Sequence, residues 1–253
     1  MMKFYDALVS CGSYINNTTA IPSVSHEKML AELARAGVSG AVYFDVMADV
    51  SGVAIGNDTL IKQLRTAPEG FYGAYTIVPS CTGETVPPAL LPAFMRENRL
   101  AALRLNPPAH KYVSHPGVLS DYLSLAGERK IPVYLSTGAG LDLKTIYEFM
   151  ERFPRLTAIL CDHNVWPTDR FFRPFLEKFP NLVMETSAMI TDQGFEDVVK
   201  TYGPERFLFA SDFPRCYIGA QMLNIRHAEI SDEAKEKIAG GNLLKLIAEA
   251  DFS

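Results

Sequence analysis

The sequence predicts an α/β protein of the (β/α)8 TIM-barrel class, one domain over residues 1–253, on three observations. Eight apolar, β-rich runs recur along the chain, at 3–10, 38–46, 71–78, 100–106, 131–136, 156–161, 181–187 and 206–211. Amphipathic segments with recognisable starts and stops lie between them. One joint is nearly duplicated: FMERFPRL (149–156) and FLEKFPNL (175–182) each read as a helix end, a proline stop and the start of a strand. A third such joint is YGPERFLF (202–209). Alternating units of this kind build a parallel sheet, and 253 residues is the size of a closed barrel of eight. The alternative, an open doubly wound sheet, calls for fewer strands and a glycine-rich first turn, and no GxGxxG is present.

The elements follow in order. In the first run, FYDALVSCG (4–12), alternation places Phe4, Asp6, Leu8 and Ser10 on one face. An unpaired charge among apolar residues is costly, so Asp6 is expected to have a buried cationic partner such as Arg104. Ser25 can cap SHEKMLAELARAG, whose stripe is Met29, Leu30, Leu33 and Ala34, and Gly37 can close it. In LAALRLNPP (100–108), Leu103 and Leu105 suit packing against outer helices, which turns Arg104 and Asn106 inward. An inward arginine can clamp a substrate carboxylate or phosphate, or it can pair internally with Asp6 or Glu185. In IPVYLSTG (131–138), Tyr134 and Ser136 share a face, and Ser136 lacks the GxSxG elbow of a serine hydrolase. Asp142 can cap LDLKTIYEFMERF, with Pro154 as its stop.

The sixth run, LTAILCDHNVW, ends in an acid beside an imidazole. Only one of Asp162 and His163 can face the axis if both are in the strand, and an all-apolar run leaves that choice open. The segment NVWPTDRFFRPF (164–175) holds Arg170, Arg173 and the one tryptophan; it folds over the barrel mouth or forms an oligomer contact. The eighth run, RFLFASDFPR, ends at Asp212, which can act as a general base, bind a metal or cap a turn. Active sites of this fold form at the C-terminal ends of the strands, and these ends are mostly polar here.

Composition narrows the classes. A net charge of −5 without a basic run leaves no footprint for nucleic acid. The N-terminal MMKFYDALVSCG is broken by an aspartate, and no apolar run reaches the ~20 residues of a membrane span, so a cytoplasmic protein without membrane partners is expected. Cys11, Cys81, Cys161 and Cys216 form no CxxC pair and are expected as free thiols.

The set IPVYLSTG, FPRLTAILCDHN, NLVMETS, GPERFLFASDFPR and IAGGNLLKLI, in this order and spacing, resembles the amidohydrolase superfamily, in its amidohydrolase-2 branch. The resemblance implies a (β/α)8 barrel that hydrolyses, decarboxylates or hydrates small carboxylates, lactones or amides, commonly with one divalent metal. The family's Asp-x-His-x-His on strand 1 falls here on Asp6-Ala7-Leu8-Val9-Ser10, so the aspartate is kept and both histidine positions are lost. The strand-5 histidine position is Ser136, the strand-6 position is Asp162 with His163 one residue late, and the strand-8 aspartate is Asp212.

Zinc needs several N, O or S ligands converging in near-tetrahedral geometry. No cofactor is therefore expected, with a rebuilt zinc site from Cys11, Asp162 or His163, and Asp212 as the alternative. The implied reading is a metal-independent hydrolase of a small-molecule substrate, with Asp212 as base and with Arg104 and Arg215 holding a carboxylate. His163, Tyr134 and Ser136 are candidate donors to an oxyanion. Its rival is a non-catalytic barrel that binds a metabolite or a protein partner, and a homo-oligomer is open in either case.

Overall fold

The computed structural model describes residues 2–13 and 22–253. Eight strands, β1 Phe4–Cys11, β2 Val38–Asp45, β3 Phe71–Thr76, β4 Leu100–Arg104, β5 Val133–Ser136, β6 Ala158–Cys161, β7 Leu182–Glu185 and β8 Phe207–Leu208, pair in parallel in chain order. The main helices of the first half are α1 His26–Ala36, α2 Met47–Val50, α3 Val53–Leu64, α4 Leu91–Glu97, α5 Pro107–His110 and α6 Ser120–Arg129. Those of the second half are α7 Leu143–Arg152, α8 Asp169–Lys178, α9 Gly194–Tyr202, α10 Ile218–His227, α11 Asp232–Glu236 and α12 Asn242–Glu249. This is the single-sheet (β/α)8 barrel that the strand spacing predicts. Among the described residues no helix is long and apolar enough to cross a membrane, and all four cysteines are free.

Local chemistry sets the helix ends. Ser25 accepts the Lys28 N–H, and Gly37 closes α1 with φ of 82°; Asp142 accepts the Thr145 N–H at the start of α7. The duplicated joints are the α7–β6 and α8–β7 turns, as their proline stops require.

The ring closes between β8 and β1, where Ala7 N–H donates to Phe209 C=O at 2.9 Å and Ser10 N–H to Phe213 C=O at 2.9 Å. Strict alternation fails in β1. Its register against β2 shifts between Asp6 and Val9, and such a bulge moves side chains between faces. Phe4 packs outward, edge-on to Phe209 at 4.8 Å, while Leu8 lines the barrel mouth. Asp6 does not pair with Arg104: its Oδ1 accepts the Ser211 and Leu8 N–H groups at 2.9 and 3.1 Å.

Two apolar layers result, one between strands and helices and one inside the ring. The inner layer takes Ala7, Val42, Ala74, Ala102, Tyr134, Ile159, Cys161, Val183 and Leu208 from the strands and Ala210 from just beyond β8, with the partly buried Tyr5, Leu8, Phe44 and Tyr72 packed against it. Alanines stand on β1, β3 and β4, and two of them, Ala7 and Ala74, also line the cavity at the barrel mouth. Leu243 of α12, with Leu246 and Ile247, packs against this layer.

Candidate active site

A cavity of about 250 Å³ opens at the C-terminal ends of the strands. Its wall includes Leu8, Val42, Phe44 and Ala74 on the apolar side and Asp49, Arg104, Asn106, Tyr134, Ser136, Asp162, Asp212 and Arg215 on the polar side. Seven of the eight site residues expected from the sequence thus meet at one cavity, and His163 does not line it.

Asp212 follows the short β8 and takes φ of 53°, a left-handed conformation that costs a side-chain-bearing residue about 1–2 kcal/mol. Hydrogen bonds hold it there: its N–H donates to Leu8 C=O at 3.0 Å, and its own C=O accepts the Arg215 and Cys216 N–H groups at 2.8 and 3.2 Å. The turn carries Arg215 back over the cavity, with Nε 3.4 Å from Asp212 Oδ2. Burial pushes the Asp212 carboxyl up to about 6; Arg215 opposes the rise and Asp162 adds to it.

Asp162, just past β6, is also left-handed, with φ of 72°. Its Oδ2 accepts the Ser136 hydroxyl and the Gly138 N–H at 3.1 Å. Its Oδ1 lies 3.6 Å from Arg215 Nη1. The guanidinium therefore stands between two aspartates. At these distances, and with its side chain 48% exposed, Arg215 adds little stability; its value is as a cation at the mouth.

The structure resolves the choice on strand 6: Asp162 faces the cavity and His163 packs outward. The His163 ring lies edge-on to Phe172 of α8 at 6.3 Å, and its buried Nε2 has no hydrogen-bond partner among the described residues. Burial lowers its pKa, so the imidazole is neutral near pH 7.

Arg104 points inward as the alternation requires, and the structure takes the internal-pair alternative with a different partner. Its Nη1 and Nη2 make a bidentate pair with Asp49 of α2, both at 2.9 Å. Thr76 Oγ1 accepts from Nη1 at 3.2 Å, and the guanidinium lies 3.9 Å over the Phe44 ring. Burial opposes ionisation of Asp49, but Arg104 and His110 hold its carboxyl below the usual range. Neither Asp6 nor Glu185 partners Arg104. Asp49 was invisible to sequence reasoning, because its one signal is a lone acid in the apolar MADV after β2.

The remaining polar groups differ in what they have left to offer. The Tyr134 hydroxyl donates to Ala7 C=O, and burial raises its pKa well above the usual range. Ser136 donates to Asp162 and accepts the Ala139 N–H at 2.8 Å. Asn106 caps α5 through Oδ1, which accepts the Ala109 N–H at 3.4 Å. Its Nδ2 stays uncommitted among the described residues. Arg215 and Asn106 Nδ2 are thus the donors with capacity to spare. The segment 164–175 contributes nothing to the wall; Trp166 is 58% exposed, with Arg170 over its ring at 5.3 Å.

A (β/α)8 barrel with a partly apolar cavity at its strand C-termini, carrying three aspartates and two arginines, has the build of a barrel enzyme. The sequence profile of the Amidohydrolase family matches residues 24–247, and the chain belongs to that family of enzymes. No curated protein matches the chain. An uncharacterised TIM-barrel protein from Bordetella bronchiseptica is similar in fold, at 19% identity and TM-score 0.71 over 98% of this chain and 99% of the other. So is a proposed 2-pyrone-4,6-dicarboxylic acid hydrolase from Pseudomonas putida, at 14% identity and TM-score 0.73 over 98% of each chain. A third is the 5-carboxyvanillate decarboxylase of Novosphingobium aromaticivorans, complexed with manganese and a nitrobenzoic acid, at 13% identity and TM-score 0.74 over 98% and 96%.

The donor set here does not fit such an ion. Among the described residues no three His, Cys, Asp or Glu side chains converge. Leu8 lines the mouth without a donor atom, and Ser10 is not part of the wall. Cys11 faces Gln63, with Sγ 3.5 Å from Oε1. Its thiol is pushed up by burial and by Asp45. The set Cys11, Asp162 and Asp212 is therefore not brought together.

Proposed function

We propose that the protein is a metal-independent hydrolase of a small lactone, ester or amide, with Asp212 as general base. The observation that carries this reading is the Asp212–Arg215 pair at the cavity. A carboxyl raised to about 6 is mostly ionised at pH 7 and is a better base than an ordinary aspartate. The adjoining guanidinium supplies fixed positive charge where a divalent ion would otherwise be needed.

In the step proposed, Asp212 takes a proton from water as the water oxygen bonds to the substrate carbonyl carbon. The oxyanion so formed is held by Arg215 and Asn106 Nδ2, donors of the kind that contribute ~2.7–4 kcal/mol each when well placed. Collapse breaks the bond to the leaving oxygen or nitrogen, and the proton on Asp212 passes to that leaving group. Asp162, fixed by Ser136 and Gly138, orients Arg215 from the far side. Arg104, neutralised by Asp49, shapes the wall beside Phe44.

The test is Asp212→Asn assayed on a panel of lactones and carboxylic esters, beginning with dihydrocoumarin. General-base removal lowers kcat by roughly 10²–10⁴ while circular dichroism stays that of the wild type. Wild-type rates in this variant would refute the role. Structural similarity to a decarboxylase supports a second reading on aromatic carboxylates, which release of CO2 from benzoates in the same panel would reveal. Thermal shift by the panel with no turnover would favour a binding barrel.

A further inference from the structure

Two carboxylates with no exposed surface, Asp6 and Glu185, stand outside the cavity wall and directly behind its two aspartates. Asp6 of β1 accepts the N–H of Ser211, the residue before Asp212, and the N–H of Leu8, whose C=O accepts the N–H of Asp212 itself. Glu185 of β7 accepts the Asp162 N–H at 2.8 Å through Oε1 and the Ser187 N–H at 2.6 Å through Oε2. In each case a carboxylate from the neighbouring strand ties down the main chain at, or one residue before, a site aspartate. Those two aspartates are also the strand-end residues held at φ of 53° and 72°. A side-chain-bearing residue persists there only when its surroundings over-determine it.

We propose that Asp6 and Glu185 are positioning residues, each holding the main chain that aims one site aspartate, Asp212 or Asp162, at the cavity and at Arg215. This rests on the reading that Asp212 and Asp162 border the reacting centre. Fold stability alone accounts poorly for them. Burying a carboxylate is costly, and among the described residues Asp6 offsets this with only the Ser211 and Leu8 N–H groups and the Ser211 hydroxyl. Burial pushes both carboxyls up to about 7, so the fold bears a penalty for each near neutral pH. What an apolar residue could not supply is the acceptor: a carboxylate takes main-chain N–H groups from two residues without presenting a donor of its own.

The two differ in a way that makes the proposal testable. Both N–H groups held by Asp6 go to the single oxygen Oδ1, so asparagine keeps the acceptor. Glu185 uses one oxygen for each, so glutamine must turn an NH2 against one of them. Crystal structures of Asp6→Ala, Asp6→Asn, Glu185→Ala and Glu185→Gln read the backbone at 162 and 212 whether or not a substrate is known. The expected result is that Glu185→Ala and Glu185→Gln release Asp162 from its left-handed conformation and from Arg215. Asp6→Ala releases Asp212 likewise, and Asp6→Asn restores it.

On dihydrocoumarin, the released variants lose kcat by about 10²-fold with little change in KM, since a misplacement of about 1 Å carries that cost. Asp6→Asn recovers most of the rate. If the alanine variants do not fold, the contrast between Glu185→Gln and Asp6→Asn decides the matter. Unmoved aspartates in Glu185→Gln, with kcat equal to wild type, would overturn the proposal. Moved aspartates with no lactone turnover in any form, wild type included, would instead count against the hydrolase reading and leave the positioning intact.

Discussion

Asp212 and Asp162 are two aspartates in the same unusual backbone conformation, yet their surroundings give them different tasks. Asp162 is tied by Ser136, Gly138 and Arg215, whereas the Asp212 side chain is paired with Arg215 without such hydrogen bonds among the described residues. A base with its carboxyl at about 6 is disabled as pH falls through that value. We therefore expect kcat/KM to fall about tenfold per pH unit below pH 6, where an ordinary aspartate would place the limb near 4. A pH–rate profile on the best lactone substrate checks this; a flat profile down to pH 4.5 would exclude Asp212 as the base. At this scale the sequence showed the inward turn of Arg104 and Asn106 and the shared face of Tyr134 and Ser136, because strand alternation is strict where no bulge intervenes. It could not show that Arg104 is neutralised by Asp49, since that pair joins residues 55 apart across two strands.

The elements most legible in the sequence were those with their own punctuation. Ser25 and Gly37 bound α1, and Asp142 starts α7, because caps are local hydrogen-bond chemistry that short segments specify. The β1 bulge was not legible, as it arises from pairing with β2 and β8 and exchanges the faces on which Phe4 and Leu8 were expected together. Helix packing beneath the site is equally non-local. Gly56 of α3 lies so close to α2 that an added Cβ would meet the Ala48 main-chain nitrogen at 2.0 Å. Backbone cannot yield as a side chain can, so Gly56→Ala should cost about 3 kcal/mol or more and displace the helix that carries Asp49. Urea denaturation measures the loss. A variant as stable as wild type would show that α2 shifts freely.

Across the whole molecule, Ala7 and Ala74 of β1 and β3 help line the cavity inside the ring, and buried acids stand behind its mouth. Asp6 and Glu185 are raised to about 7 by burial, from values near 4 in the unfolded chain. Between pH 4 and 7 the folded state binds more protons than the unfolded state, so stability falls as pH rises through that window and levels off above it. Melting temperatures should drop from pH 5 to pH 8, and less steeply in Asp6→Asn; an equal slope in that variant would contradict the assignment. The fold itself was readable because eight apolar runs and the repeated joints between helix and strand obey local rules, while the cavity depends on which side chains the closed ring brings together. The most direct test of the central claim is the rate of lactone hydrolysis by chelator-treated, metal-free protein. That rate should equal the rate of untreated protein; a rate that collapses on chelation and returns with added manganese or zinc would show that hydrolysis needs a divalent ion.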